Sequence, residues 1–100
     1  MESVKRSLAI LGSTGSIGTQ ALEVVRAQPD RFSVEVLTSN NNIDLLIAQA
    51  REFLPNAVVI ADERHYQKLR EALADLPVKT FAGRDALEQV VQLEEIDKLL

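Results

Sequence analysis

The sequence predicts an α/β fold, a doubly wound parallel sheet with helices on both faces, incomplete at its C-terminal side. Three observations lead there. Four short strand-like runs, "LAIL" (Leu8–Leu11), "VEVLT" (Val34–Thr38), "AVVI" (Ala57–Ile60) and "VKTF" (Val78–Phe81), alternate with amphipathic stretches, the pattern of parallel strands joined by crossover helices. Three of the chain's four glycines, Gly12, Gly15 and Gly18, sit directly after the first run, where a strand would hand over to a helix. The final "EEIDKLL" resumes apolar character at Ile96, Leu99 and Leu100 after a charged break. It reads as a turn into a fifth strand, paired in one sheet with "SLAIL", with nothing after it to complete the layer.

The elements follow in order. After the first strand, Ile17, Ala21, Val24, Val25 and Gln28 recur at helical spacing, so a helix from about Ser16 is expected to turn this stripe to the sheet until Pro29 stops it. With Val34–Thr38 the unit is βαβ. Ile43, Leu46, Ile47, Ala50 and Phe53 mark a second helix that Asn42 can cap and that stops before Pro55. Asp62 can cap a third, carrying Tyr66, Leu69 and Leu73 on one face and ending near Pro77. A last helix is expected over 85–92, with Leu87, Val90 and Val91 inward. Phe32, Phe53 and Phe81 stand at element ends and read as core. Glu63, Arg64, Lys68, Arg70 and Glu71 read as a solvated, mixed-charge surface. The uncovered edge of the fourth strand, in a sheet lacking later helices, is expected to promote self-association.

Composition narrows the function. A chain of 100 residues, 46% hydrophobic and 26% charged, suffices for one modest core and one domain at most. The net charge of −4, with Lys and Arg spread along the chain, gives no basic footprint for nucleic acid. "MESVKRS" and the four apolar residues after it are too short for a signal peptide, and no stretch approaches a membrane span. The expected location is the cytoplasm. With no cysteine, disulfides, thiolate zinc sites and a thiol nucleophile are excluded. His65, the one histidine, has no evident partner for base catalysis and reads as solvated. Glu94, Glu95 and Asp97 do not share a helix face, so they read as a solvated turn, and no metal site is expected.

The glycines carry the chemistry. A helix entered directly from a strand presents unpaired first-turn N–H groups and partial positive charge, which favours an anion there. Gly12 can make the tight turn, Gly15 can leave room for a pyrophosphate against the backbone, and Gly18 can bring the helix close. These are the three roles of the Rossmann-like dinucleotide fingerprint. The spacing is G-x-x-G-x-x-G, one residue wider than usual at the first gap, with Ser13, Thr14 and Ser16 as additional hydroxyl donors. A nucleoside-triphosphate loop is excluded, since Thr19 stands where that motif needs lysine. After the second strand no acid is present to accept from the 2′-hydroxyl of NAD. "TSNNN" (Thr38–Asn42) offers hydroxyls and amides that suit a 2′-phosphate, which favours NADP over NAD. The asparagines equally suit a turn, with Asn42 capping the next helix.

Read as a string, "LAILGSTGSIGTQALEVV", then P-x-x-F, then "VEVLTSNNNIDLLIAQAREFLPNAVVI" resembles the N-terminal NADPH-binding domain of the 1-deoxy-D-xylulose 5-phosphate reductoisomerase family. The resemblance spans nearly the whole chain, 1–100, and is most specific at "ILGSTGSIGTQ" and F-x-P-x-x-V. It implies that Thr14, Gly15, Ser16 and Ile17 contact the cofactor phosphates and that Asn40, Asn41 and Asn42 serve the adenosine side. There Asn40 replaces a frequent glycine, whose positive-φ shape an asparagine can keep, and Asn41 replaces a frequent basic residue. The resemblance further implies an oxidoreductase of non-mevalonate isoprenoid biosynthesis. Such an enzyme isomerises and reduces 1-deoxy-D-xylulose 5-phosphate to 2-C-methyl-D-erythritol 4-phosphate with NADPH and a Mg or Mn ion, as a homodimer when full-length. The metal ligands, catalytic residues and substrate-phosphate site of that family lie in later domains, so these residues alone are expected to bind cofactor without turnover. Two alternatives stand beside it: an NAD(P)-sensing module without catalysis, and the N-terminal part of another NADP-dependent dehydrogenase, such as a semialdehyde dehydrogenase.

Overall fold

The computed structural model describes residues 5–90 and 98–99. Its elements are β1 (Arg6–Ile10), α1 (Ser16–Ala27), β2 (Phe32–Ser39), α2 (Ile43–Phe53), β3 (Ala57–Ile60), a 3₁₀ turn (Glu63–His65), α3 (Tyr66–Ala72), β4 (Lys79–Ala82), α4 (Arg84–Val90) and β5 (Lys98–Leu99). The strands form one parallel sheet in the order β4-β3-β2-β1-β5. The chain therefore winds outward from β1 to β4 and returns across the sheet to β5, on the other side of β1. That return creates a switch point at the carboxyl end of β1, where open α/β sheets hold their ligands. The pairing of the first and last strands read from the sequence is present, with Leu8 beside Lys98 and Ala9 beside Leu99.

Alternation along the strands divides the core into two layers. On one face Leu8, Ile10, Val34, Leu37, Val58 and Ile60 pack with Leu22 and Val25 of α1, Leu46 and Ala50 of α2 and Leu69 of α3. On the other, Ala9, Val36 and Val59 meet Val90, Ala86 and Leu87 of α4. Val34 and Leu37 share a face although they are three apart. The reason is a bulge opposite the Leu8–Ala9 step, across which the partner of β1 jumps from Val34 to Val36. The extra residue flips the pleat, so both halves of β2 remain buried against the correct layer.

The first helix departs from the expected stripe. Its buried residues are Gly18, Leu22 and Val25, whereas Ile17 is 81% exposed and Val24 49% exposed. Periodicity alone admits either face. The close approach of Gly18 to the preceding turn fixes the rotation, and that turns Ile17 outward. The helix ends as expected before Pro29, with Gln28 N–H donating to the carbonyls of Val24 and Val25. In α2 the expected stripe is buried or half-buried, Asn42 Oδ1 caps by accepting from Leu45 N–H at 3.4 Å, and Leu54 stops the helix in a left-handed conformation at φ 49°.

Asp62 accepts from Arg64 N–H at 3.1 Å, but the element it caps is the 3₁₀ turn, and α3 begins at Tyr66. Leu69 and Leu73 face the core as expected, and Tyr66 donates its hydroxyl to the Thr80 carbonyl. Phe32 and Phe53 pack against the first layer, whereas Phe81 is 41% exposed because it stands on the edge strand. The charged surface is cross-braced between elements. Lys68 meets Asp44 at 2.8 Å, Arg51 meets Asp75 at 3.0 Å, and Arg26 lies over the Phe53 ring while pairing with Glu52. These pairs are solvated and contribute little each. Val91, Gln92, Glu94, Glu95, Ile96, Asp97 and Leu100 lie outside the described residues.

Candidate functional site

Between Ile10 and Ser16 the chain must leave the sheet, reverse and start a helix within five residues. Gly12 makes this possible with φ +68°, a conformation that a side chain would strain. The turn is then anchored from two directions. From β2, Thr38 Oγ1 accepts from Gly12 N–H at 2.9 Å and the Thr38 carbonyl accepts from Ser13 N–H at 2.7 Å. From α2, Gln49 Nε2 donates to the Ser13 carbonyl at 2.8 Å while its Oε1 accepts from Ser13 Oγ at 2.7 Å. Ser13, Thr38 and Gln49 are all buried. A further contact of 2.8 Å joins the Thr14 and Ser39 hydroxyls.

This network revises two expectations. Ser13 is not a donor to a ligand: its hydroxyl and its backbone are spent inside the protein. The same holds for Thr38 and Ser39, which hold the turn from beneath, so only Asn40, Asn41 and Asn42 of that run are exposed. Gln49 was not singled out from sequence. Its signal was available, since it lies three residues after Leu46 and one before Ala50, on the buried side of an otherwise apolar helix face. Gln49→Leu is expected to destabilise the protein by about 1–3 kcal/mol, because it strands the buried Ser13 carbonyl and leaves the Ser13 hydroxyl only its 3.3 Å contact with the Thr38 carbonyl. A urea titration of the two proteins checks this.

What remains open is the helix end. The N-cap residue of α1 is Gly15, extended at φ −83° and ψ 178°, with no side chain capping the first turn and no acidic residue in it. Gly15, Ser16 and Ile17 are exposed, and Thr14 is half-buried beside them. A Cβ on Gly15 would come within 3.4 Å of only the Gly12 carbonyl and would otherwise project into open space. An alanine-like group there fits the fold but fills the approach to the amides. Twelve residues of α1 add their dipole to the same spot. The Gly15 N–H is spent on the Gly12 carbonyl at 3.0 Å, so the open amides are those of Ser16 and Ile17, and with an anchored backbone and an uncapped helix they fit a phosphate group.

A cleft of about 460 Å³ adjoins the turn, lined by Leu11, Gly12, Thr38, Asn40, Leu87 and Glu88. It opens at the switch point, between the carboxyl ends of β1 and β2 and the outer layer helix α4. Another groove, of about 350 Å³, lies at the opposite ends of the strands around Lys5, Phe32 and Phe53, far from the turn. On the β2 side Asn42 spends its Oδ1 on the helix cap and keeps its amide N–H₂. Asn40 does not keep a glycine-like shape: among the described non-glycine residues only Leu54 has a positive φ. The Asn40 carbonyl instead accepts from Asp62 N–H at 2.9 Å.

His65 is half-buried on the 3₁₀ turn, with Nε2 3.9 Å from Asp62 Oδ2. The Arg64 guanidinium, by its hydrogen bonds, holds the Asp62 carboxyl at about 2. Among the described residues no three His, Cys, Asp or Glu side chains gather as a metal site requires, and no helix is long and apolar enough to cross a membrane.

Comparison with known proteins agrees with this geometry. The sequence profile of the 1-deoxy-D-xylulose 5-phosphate reductoisomerase family matches residues 8–100. The reductoisomerase of Phocaeicola vulgatus is 59% identical over 97 residues, covering 97% of this chain and 25% of that protein. Among solved structures, the reductoisomerase from Zymomonas mobilis in complex with NADPH superposes with a TM-score of 0.87 at 38% identity, over 90% of this chain and 24% of the other. A reductoisomerase in complex with NADPH, fosmidomycin and magnesium superposes with a TM-score of 0.88 at 33% identity, over 94% of this chain and 23% of the other. This chain thus spans about a quarter of the length of the relatives it matches. With the profile covering all but the first seven residues, the chain belongs to the 1-deoxy-D-xylulose 5-phosphate reductoisomerase family.

Proposed function

We propose that residues 1–100 form the NADPH-binding portion of a cytoplasmic, homodimeric reductoisomerase, which converts 1-deoxy-D-xylulose 5-phosphate to 2-C-methyl-D-erythritol 4-phosphate in isoprenoid synthesis. The single observation that carries this reading is the uncapped α1 end, bare at Gly15 and held rigid from below by Thr38 and Gln49. The backbone amides of Ser16 and Ile17 receive the pyrophosphate, Gly15 leaves the room for it, and the Thr14 hydroxyl flanks it. Asn40, Asn41 and the Asn42 amide face the adenosine ribose and its 2′-phosphate. Bound NADPH supplies the hydride for the reduction; a Mg or Mn ion and the groups that act on substrate belong to parts of the enzyme beyond these residues. Neither an independent sensing module nor another dehydrogenase is favoured by the family match over residues 8–100.

Titration of the protein with NADPH and, separately, with NADH tests this. Binding of NADPH in preference to NADH is expected, without NADPH consumption when the phosphorylated deoxyketose and Mg²⁺ are added. Failure to bind either nucleotide would refute the cofactor role. Turnover would refute the placement of the chemistry elsewhere.

A further inference from the structure

The 2′-phosphate that separates NADPH from NADH is a doubly charged anion, and Asn40, Asn41 and Asn42 can offer it only neutral amides. A cation close to that loop would add a charge-assisted contact. The β2–β3 ladder continues past the strand ends to provide one. Ala61 N–H donates to the Ser39 carbonyl and Asp62 N–H to the Asn40 carbonyl, each at 2.9 Å. These bonds lay the 3₁₀ turn directly beside the asparagine loop, and Arg64 is the first cation on it.

Its guanidinium is already oriented. Nε donates to Asp62 Oδ1 at 3.0 Å and Nη2 to Asp62 Oδ2 at 2.7 Å, so one edge of the fork is fixed. The Nη1 end is left to meet a ligand, on a side chain 86% exposed. Asp62, with its carboxyl held at about 2, stays ionised at neutral pH and keeps the fork in place. The other cations near this end of the sheet are less suited. Lys68 is engaged by Asp44 at 2.8 Å. Arg84 follows β4, one strand further from β2 than the 3₁₀ turn.

We propose that Arg64 contacts the 2′-phosphate and sets the preference for NADPH over NADH. This rests on the reading of the turn as a dinucleotide site, and the test separates the two. Calorimetric titration of the parent, Arg64→Gln and Lys68→Gln proteins with NADPH and with NADH reads both affinities, with circular dichroism confirming the fold. In Arg64→Gln, NADPH is expected to bind about tenfold more weakly, the value of one charge-assisted contact offset in part by Asp62, while NADH changes by less than about twofold. Adding Asn41→Lys to that variant is expected to restore NADPH binding by placing a cation on the neighbouring loop. An unchanged NADPH-to-NADH ratio in Arg64→Gln, or a ratio lost in Lys68→Gln instead, would overturn the assignment to Arg64 while leaving the dinucleotide site standing. A parent protein that binds neither nucleotide would overturn the site itself.

Discussion

Replacing Gly18 with alanine is expected to lower the midpoint of thermal unfolding by roughly 10 °C. The added methyl would meet the Gly12 carbonyl oxygen and lie 2.6 Å from Ser13 Cα and 2.9 Å from Ser13 C. All three are backbone atoms of an anchored turn, so none can rotate away. Overpacking of this kind costs about 3 kcal/mol. Alanine recovers up to about 1 kcal/mol through its greater helix propensity. The net loss of about 2 kcal/mol is a sizeable share of the roughly 5–15 kcal/mol that a domain of this size commands. Thermal melts followed by circular dichroism check it. A midpoint unchanged or raised would mean that α1 can move off the turn freely, contrary to the anchoring described here.

Gly15→Val is expected to do the opposite: to spare the fold and remove NADPH binding. Gly15 has an extended backbone that any residue adopts, and its one close neighbour is 3.4 Å away. The stability cost should stay near 1 kcal/mol, that of a poor N-cap residue. The branched side chain, however, would stand between the amides and the pyrophosphate. Losing two hydrogen bonds to a charged group weakens binding by about 100-fold or more. Melting and titration of one preparation test both halves. Binding at the parent's affinity would refute the cradle, and a protein that no longer folds would refute the separation between Gly15 as binder and Gly18 as packer.

The contrast between these two glycines explains how much the sequence disclosed. The strands, their parallel arrangement, the helix cap at Asn42 and the pairing of the last strand with β1 were legible, because alternation, prolines and capping residues are local signals, whereas Asp62 was legible as a cap but not as the cap of a 3₁₀ turn ahead of α3. The face of α1 was not. Ile17 and Val24 fit an inward stripe as well as Leu22 does, and only the contact between Gly18 and the turn, a tertiary fact, selects between them. The bulge in β2 was invisible for the same reason, since it becomes necessary only when β1 and the two core layers are in place.

The site was legible in outline but not in its division of labour. The string from Gly12 to Gly18 marks a glycine-rich strand-to-helix turn suited to a phosphate, yet it does not say which hydroxyls stay exposed. Burial decides that Ser13 and Thr38 look inward and that Thr14 and Ser16 remain at the mouth. Likewise the missing positive charge at Asn41 could be read from sequence, whereas the nearness of Arg64 depends on how β3 aligns with β2.

The central claim is that the amides opening α1 receive the cofactor's phosphates. Amide ¹H–¹⁵N NMR spectra recorded during an NADPH titration test it most directly. The largest shifts are expected at Ser16 and Ile17, with a second set at Asn40, Asn41 and Asn42. Saturable NADPH binding that leaves the Ser16 and Ile17 amides unmoved would contradict the account.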